Sequence, residues 1–297
     1  MVCVDAQLFG RPSVTIHDRS FQLQENQKSH ELFAYLLLYS EKPQHRERLG
    51  DLIWGELGDG RSKQYLRKAL WQLNNSFKEA GEQPDLLAAD AQWIQLSPSL
   101  QLSLDIRELE AALHATQNVP GNMLDEKKAA RLRQATARCQ GDLLEGWYAE
   151  WCLYERERLQ QLYLNGLDKL MHYCESTGSY ELGIAYGHII LRHDYLREHA
   201  HRQMMRLRYL SGDRVGALHQ FEDCAAALAK ELSIRPSERT QQIYQQILSD
   251  QAPPLDNYLP PQPSPAGRQL PHLLREAKQL TARLNAICDQ IAAETNL

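Results

Sequence analysis

The sequence predicts an α+β domain followed by an all-α domain of paired, repeating helices, with a further amphipathic helix at the C-terminal end. Three observations predict it. Residues 2–23 alternate apolar and polar, residues 27–78 switch to helical spacing, and a Gly-led segment recurs after 34 residues in a region without strand patterns. At 297 residues the chain is long enough for two domains, each with its own core.

In the alternating stretch, Val2, Val4, Ala6 and Leu8 are followed by Val14 and Ile16, then by Phe21 and Leu23. Gly10-Arg11-Pro12 and Asp18-Arg19 supply the turns of a short antiparallel meander with one buried face. From Gln27 to Ser40, the dense set Leu32, Phe33, Leu36, Leu37 and Tyr39 marks a core helix, which Pro43 ends. A second helix carries Arg46, Arg48, Leu49, Leu52, Ile53 and Trp54, and Gly55, Gly58, Asp59 and Gly60 break the chain before a third, from Arg61 to Lys78. Gly81 and Pro84 close that helix. Leu86–Ala89, a turn at Asp90-Ala91, and Trp93–Leu96 then read as a β-hairpin. Strands, three helices and a hairpin in this order make a winged helix-turn-helix with an N-terminal sheet, spanning residues 1–103. The glycines before Arg61-Ser62-Lys63 are an inter-helix loop. A phosphate loop needs Lys then Ser or Thr directly after Gly, and a strand ahead of it.

The third helix is the candidate site. Leu66, Leu70, Leu73 and Phe77 form its apolar stripe. The opposite side is Gln64, Lys68, Trp71 and Asn75, flanked by Arg61, Arg67, Gln72 and Lys78, with no carboxylate between Arg61 and Lys78. Arg and Lys pair with guanine edges, Gln and Asn with adenine, and all of them can hold a phosphate. The face therefore suits a DNA major groove; it also suits a plain solvated basic surface.

From Leu104 the pattern is helical throughout, over about 105–116, 127–140, 150–176, 179–192, 196–210, 213–232 and 237–249. Gly178-Ser179-Tyr180-Glu181-Leu182-Gly183-Ile184 lies 34 residues before Gly212, so Gly183 corresponds to Ala217 and Ile184 to Leu218. A 34-residue period with Gly at the turn, then small and apolar positions, is the tetratricopeptide pattern. Residues 104–250 are therefore a repeat domain that offers a concave surface to a protein or another domain. A Pro-rich linker, 251–271, precedes helix 272–297, whose Leu273, Ala277, Leu280, Leu284, Ile287 and Ile291 make a short seam for self-association or for docking on the same chain.

Composition bounds the rest. The net charge is -5 and the pI about 6.1, so affinity for nucleic acid has to come from a local patch. Six scattered cysteines without a Cys-x-x-Cys pair suit reduced thiols. Without a signal-peptide pattern or an apolar run of roughly 18 residues, a cytoplasmic location away from membranes is expected. His193, His199 and His201 with Asp194 and Glu198 lack the helical His spacing of a metal site, so no metal is expected. Arg202 and Arg206, one turn apart among several arginines, are a candidate site for a small anionic effector such as a nucleotide. Trp147, Tyr148, Trp151 and Tyr154 read as repeat core. No nucleophile motif or dinucleotide fingerprint occurs, so neither an enzyme nor a cofactor is expected.

Several local sequences resemble the SARP-type bacterial transcriptional activators, in which an OmpR-like winged helix precedes a bacterial transcriptional activator domain. They are Lys28-Ser29-His30-Glu31-Leu32, Arg46-Glu47-Arg48-Leu49 with Leu52-Ile53-Trp54-Gly55, and Leu66-Arg67-Lys68-Ala69-Leu70. Gly141-Asp142-Leu143-Leu144, Glu155-Arg156-Glu157-Arg158-Leu159 and Leu232-Ser233-Ile234-Arg235-Pro236-Ser237 follow in the family's order. The resemblance covers about residues 2–249 and implies binding to direct repeats in double-stranded promoter DNA, with recruitment of RNA polymerase. It casts Lys28, Arg46 and Arg48 as phosphate contacts and the face of helix 61–78 as the base reader; Lys63 and Lys78, cations of that same helix, are expected to hold phosphates as well. A homodimer is the expected assembly. Where the family often has further cations this chain has Asn74 and Asn75, and the ATPase of large members has no counterpart here. The alternative is a protein-binding repeat scaffold, or a receptor for an anionic nucleotide, with little or no DNA binding.

Overall fold

The computed structural model describes residues 2–21, 27–55, 61–81 and 85–253; the expected C-terminal helix and all but the start of the linker lie outside them. The chain divides into two compact units, residues 1–115 with 131–146, and residues 116–130 with 147 onward.

The first unit opens with β1 (Val2–Gln7), β2 (Ser13–Ile16) and β3 (Arg19–Phe21), followed by α1 (Gln27–Leu38). A two-residue β4 (Gln44–His45) leads into α2 (Arg46–Trp54) and α3 (Arg61–Glu79). After these come the hairpin β5 (Leu87–Ala89) and β6 (Trp93–Leu96), then β7 (Leu100–Leu104) and α4 (Asp105–Ala115). The expected meander, three helices and hairpin are all present. Sequence reading missed β7, which pairs in parallel with β1 from Val2 opposite Leu100 to Ala6 opposite Leu104, giving a sheet of order β3-β2-β1-β7. A second sheet, β4-β6-β5, joins the hairpin to the start of α2. Phe21 ties the first sheet to the helices, lying edge-on to Phe33 of α1 at 6.1 Å and to Phe77 of α3 at 6.3 Å.

Packing does not divide the chain at residue 103. Asp105, at the start of α4, is fully buried, and its Oδ2 accepts from the main-chain amides of Leu8 (2.8 Å) and Phe9 (2.9 Å) while Oδ1 accepts from Ile106 (2.8 Å). Burial raises its carboxyl above the ordinary range, and those three amides act against the rise. Residues 142–145 run beside the end of β1, with Gly10 N donating to Asp142 O at 2.7 Å and Leu144 N to Leu8 O at 2.8 Å. Gly10 has φ +76°, and a Cβ there would run into the carbonyl of Gln140. Asp105→Ala leaves the buried amides of Leu8, Phe9 and Ile106 without their acceptor, and is expected to destabilise the chain by several kcal/mol in urea unfolding, at about 1–3 kcal/mol for each orphaned donor.

The helices of the repeat unit follow the sequence reading within two residues: α6 (Glu150–Thr177), α7 (Tyr180–His193), α8 (Glu198–Leu210), α9 (Arg214–Leu232) and α10 (Glu238–Leu248). They are preceded by α5 (Glu126–Arg138), whose residues are divided between the two units, and by a 3-10 turn at Gly121–Met123. The repeat behaves as its period requires. Gly178 and Gly212 adopt left-handed φ after α6 and α8. Gly183 lies directly under Leu207 and Cys174, and its counterpart Ala217 is fully buried, while Ile184 and Leu218 fill the adjoining cores. Of the four expected core aromatics, Trp151 is buried, Trp147 and Tyr154 are half-buried, and Tyr148 is exposed. Among the described residues no helix is long and apolar enough to cross a membrane.

Candidate nucleic-acid interface

The apolar stripe of α3 is buried as its spacing requires, with Leu66, Ala69, Leu70, Leu73 and Phe77 all inside. The other side is open. Arg61, Gln64, Arg67 and Lys68 are exposed, Gln72 and Asn75 are half-buried, and Trp71 is 66% exposed. An indole left in water on a packed domain forgoes the burial its area would gain. Tyr65, also exposed, lies on the same arc, one turn from Arg61 and from Lys68; sequence reading passed over it, although its spacing was there to use. Among the described residues, Arg61, Arg67 and Lys68 have no ion-pair or hydrogen-bond partner. Asn75 is engaged within the helix, its Nδ2 donating to Glu79 Oε1 at 2.7 Å. Asn74 holds the wing, its Oδ1 accepting from Leu87 N of β5 at 3.0 Å.

Four of the five residues expected at phosphates have internal partners. Lys63 pairs with Glu47 of α2 at 2.9 Å, an exposed bridge that lowers the Glu47 carboxyl and raises the Lys63 ammonium. Lys78 pairs with Asp85 at 2.8 Å and Lys28 with Glu31 at 3.0 Å. Arg46 Nη1 donates to Asp90 O at 2.9 Å, and its main-chain N donates to Gln92 O at the same distance, which locks the wing turn to the start of α2. Arg48 is exposed on α2. The Lys63–Glu47 and Lys78–Asp85 pairs are exposed and weak, so a phosphate oxygen can replace the carboxylate partner at little cost, whereas Glu31, the partner of Lys28, is buried.

The wing tip is itself ordered. Asp90 accepts from the amides of Trp93 and Gln92, both at 2.7 Å, and those amides lower its carboxyl. Trp93 is exposed at the tip, edge-on to His45 at 5.3 Å.

Arg202 and Arg206 correct the sequence reading. Both are buried: Arg206 is held by Glu175 of α6 and the carbonyl of Pro253, and Arg202 by Thr240 and Glu198. One turn of spacing put them on one face, but that face is turned to the neighbouring helices rather than to solvent. The clustered histidines also part company. His201 bonds to Tyr195 O and Gln220, His193 to Gln160, and His199 meets Asp168 of α6.

The first unit is a winged helix with an open cationic third helix, and the second is a stack of paired helices. Residues 104–248, just under half of the chain, match the family model described as bacterial transcriptional activator domain. Among solved structures the chain is similar to Mycobacterium tuberculosis EmbR, a structure in complex with a low-affinity phosphopeptide, at TM-score 0.66 and 20% identity over 86% of this chain and 67% of that one. At that identity the likeness is one of fold. No curated protein matches the sequence.

Proposed function

We propose that this chain is a sequence-specific DNA-binding activator, with no chemistry of its own, which lays α3 in the major groove of promoter DNA carrying direct repeats. The observation that carries the reading is the exposed, acid-free run from Arg61 to Asn75 on the third helix of a winged-helix unit, in a chain of net charge -5. Arg61, Gln64, Arg67, Lys68, Trp71, Gln72 and Asn75, with Tyr65, read the groove, and Lys28, Arg46, Arg48, Lys63 and Lys78 hold phosphates. The repeat domain, residues 104–250, receives a second protomer or RNA polymerase.

Selection of genomic fragments by the purified full chain tests this. A recurring half-site in direct repeat, with affinity that falls steeply as salt rises, is the expected result. Absence of any DNA shift at low salt, with a stable protein partner recovered instead, would make the molecule a repeat scaffold.

A further inference from the structure

The DNA-facing surface makes no use of a polar cluster inside the repeat unit. Asp168 and His172 stand one turn apart on α6, and His199, in the first turn of α8, meets them. All three are buried, and one carboxylate oxygen and one nitrogen of each ring lie within 4.8 Å of one another. Asp168 Oδ1 is 3.0 Å from His199 Nε2, and the two imidazoles stack with centroids 5.4 Å apart and planes 12° from parallel.

The protonation of His172 follows from its partner. Its Nδ1 is 2.9 Å from the main-chain oxygen of Asp168, and a carbonyl only accepts, so Nδ1 carries the proton. In the neutral ring the lone pair then sits on Nε2, and that atom is buried without a hydrogen-bond partner among the described residues. An unmatched buried acceptor of this kind is costly, and an ion or a water is its usual explanation. The nearest lysine does not serve Asp168, because Lys169 Nζ is committed to the carbonyls of Thr116 (2.8 Å) and Val119 (2.6 Å).

We propose that Asp168, His172 and His199 bind a divalent transition-metal ion of the zinc class, which staples α6 to α8. Two imidazoles and one carboxylate are a donor set for zinc, cobalt or ferrous iron, whereas magnesium and calcium require oxygen ligands. The Nδ1–H to carbonyl bond at His172 is the outer contact that orients a metal-binding ring and leaves its other nitrogen free to coordinate. Tetrahedral zinc at about 2.0–2.1 Å from each donor needs donor separations of about 3.4 Å. As they stand the stacked rings do not aim their in-plane lone pairs at one point, so metal uptake requires His172 and His199 to rotate out of the stack as the three donors close in, with water completing the coordination. The bland competitor is a buried Asp–His ion pair, which has no use for a metal.

The test uses the full chain, stripped with chelator and titrated with Co²⁺ and Zn²⁺. One cobalt per chain, visible-region absorption of a nitrogen- and oxygen-ligated ion, and a rise in Tm of roughly 5 °C or more with zinc at about 100 times its Kd are expected. H172Q and D168N should each weaken cobalt binding by more than about a hundredfold. A variant lacking two exposed histidines of the repeat unit, H193Q with H219Q, should bind unchanged. Failure of the folded protein to take up metal overturns the site, as does uptake that survives H172Q and D168N. Should those variants not fold, X-ray absorption of the wild-type cobalt form decides: scattering from two imidazoles supports the site and its absence sinks it.

Discussion

Lys68→Ala is expected to weaken binding to a cognate promoter fragment by about 1–3 kcal/mol, roughly five- to more than hundredfold, in fluorescence anisotropy at moderate salt. Lys68 lies at the middle of the open face of α3, exposed and without a partner among the described residues, so its ammonium is available to a guanine edge or a phosphate at no internal cost. Two comparisons separate those roles. Removing a base reader relaxes preference at one position of the half-site; removing a phosphate ligand weakens all sequences alike and reduces the salt slope by about one. Lys63 is predicted to behave in the second way and more weakly, because it must leave Glu47, 2.9 Å away, to reach a phosphate. It follows that Glu47→Gln should tighten binding, since the substitution removes both the competing partner and a negative charge beside the groove. If Lys68→Ala left affinity and salt slope untouched, α3 would not be the reading helix.

The contrast between α3 and the repeat arginines explains what the sequence could reveal. Helix positions were legible because burial on one side imposes a 3.6-residue period, and the open face of α3 is simply the complement of Leu66, Leu70, Leu73 and Phe77. The repeat was legible for a similar reason: Gly183 and Ala217 must both be small where helices meet. What was illegible depends on partners distant in the chain. Leu100–Leu104 does alternate Leu with Gln and Ser, a strand signature that sequence reading passed over; its parallel partner β1, nearly 100 residues away, is what the alternation could not name. Arg202 and Arg206 look like a cationic stripe until Glu175, from an earlier helix, meets Arg206. His199 was compared with its neighbours in sequence, His193 and His201, whereas its partners Asp168 and His172 come from α6. Asn74 similarly counted as a missing cation; its role is to hold the wing.

The buried pair between Glu175 and Arg206 sets a large expected loss of stability in the repeat unit. Both side chains are nearly without solvent, at 4% and 3% exposure, and Arg206 Nε donates to Glu175 Oε1 at 3.1 Å while Nη2 reaches the same oxygen. Gln203 donates to the other carboxylate oxygen, so one acid serves two donors on α8. Burying two such ions is unfavourable unless their geometry returns the loss, so the pair by itself is weak support for the fold. Removing one member is a different matter. Glu175→Ala deprives a buried guanidinium of its counter-charge and should cost about 3–5 kcal/mol, a large part of the roughly 5–15 kcal/mol that holds a typical domain. The denaturant midpoint should fall with little change in slope, which marks lost stability rather than a changed unfolded state. Glu175→Leu combined with Arg206→Met removes both charges while keeping most of the volume, and is expected to recover most of that loss. A double variant no better than Glu175→Ala alone would mean that Arg206 matters chiefly for its bond to Pro253, which anchors the end of the repeat domain against α8.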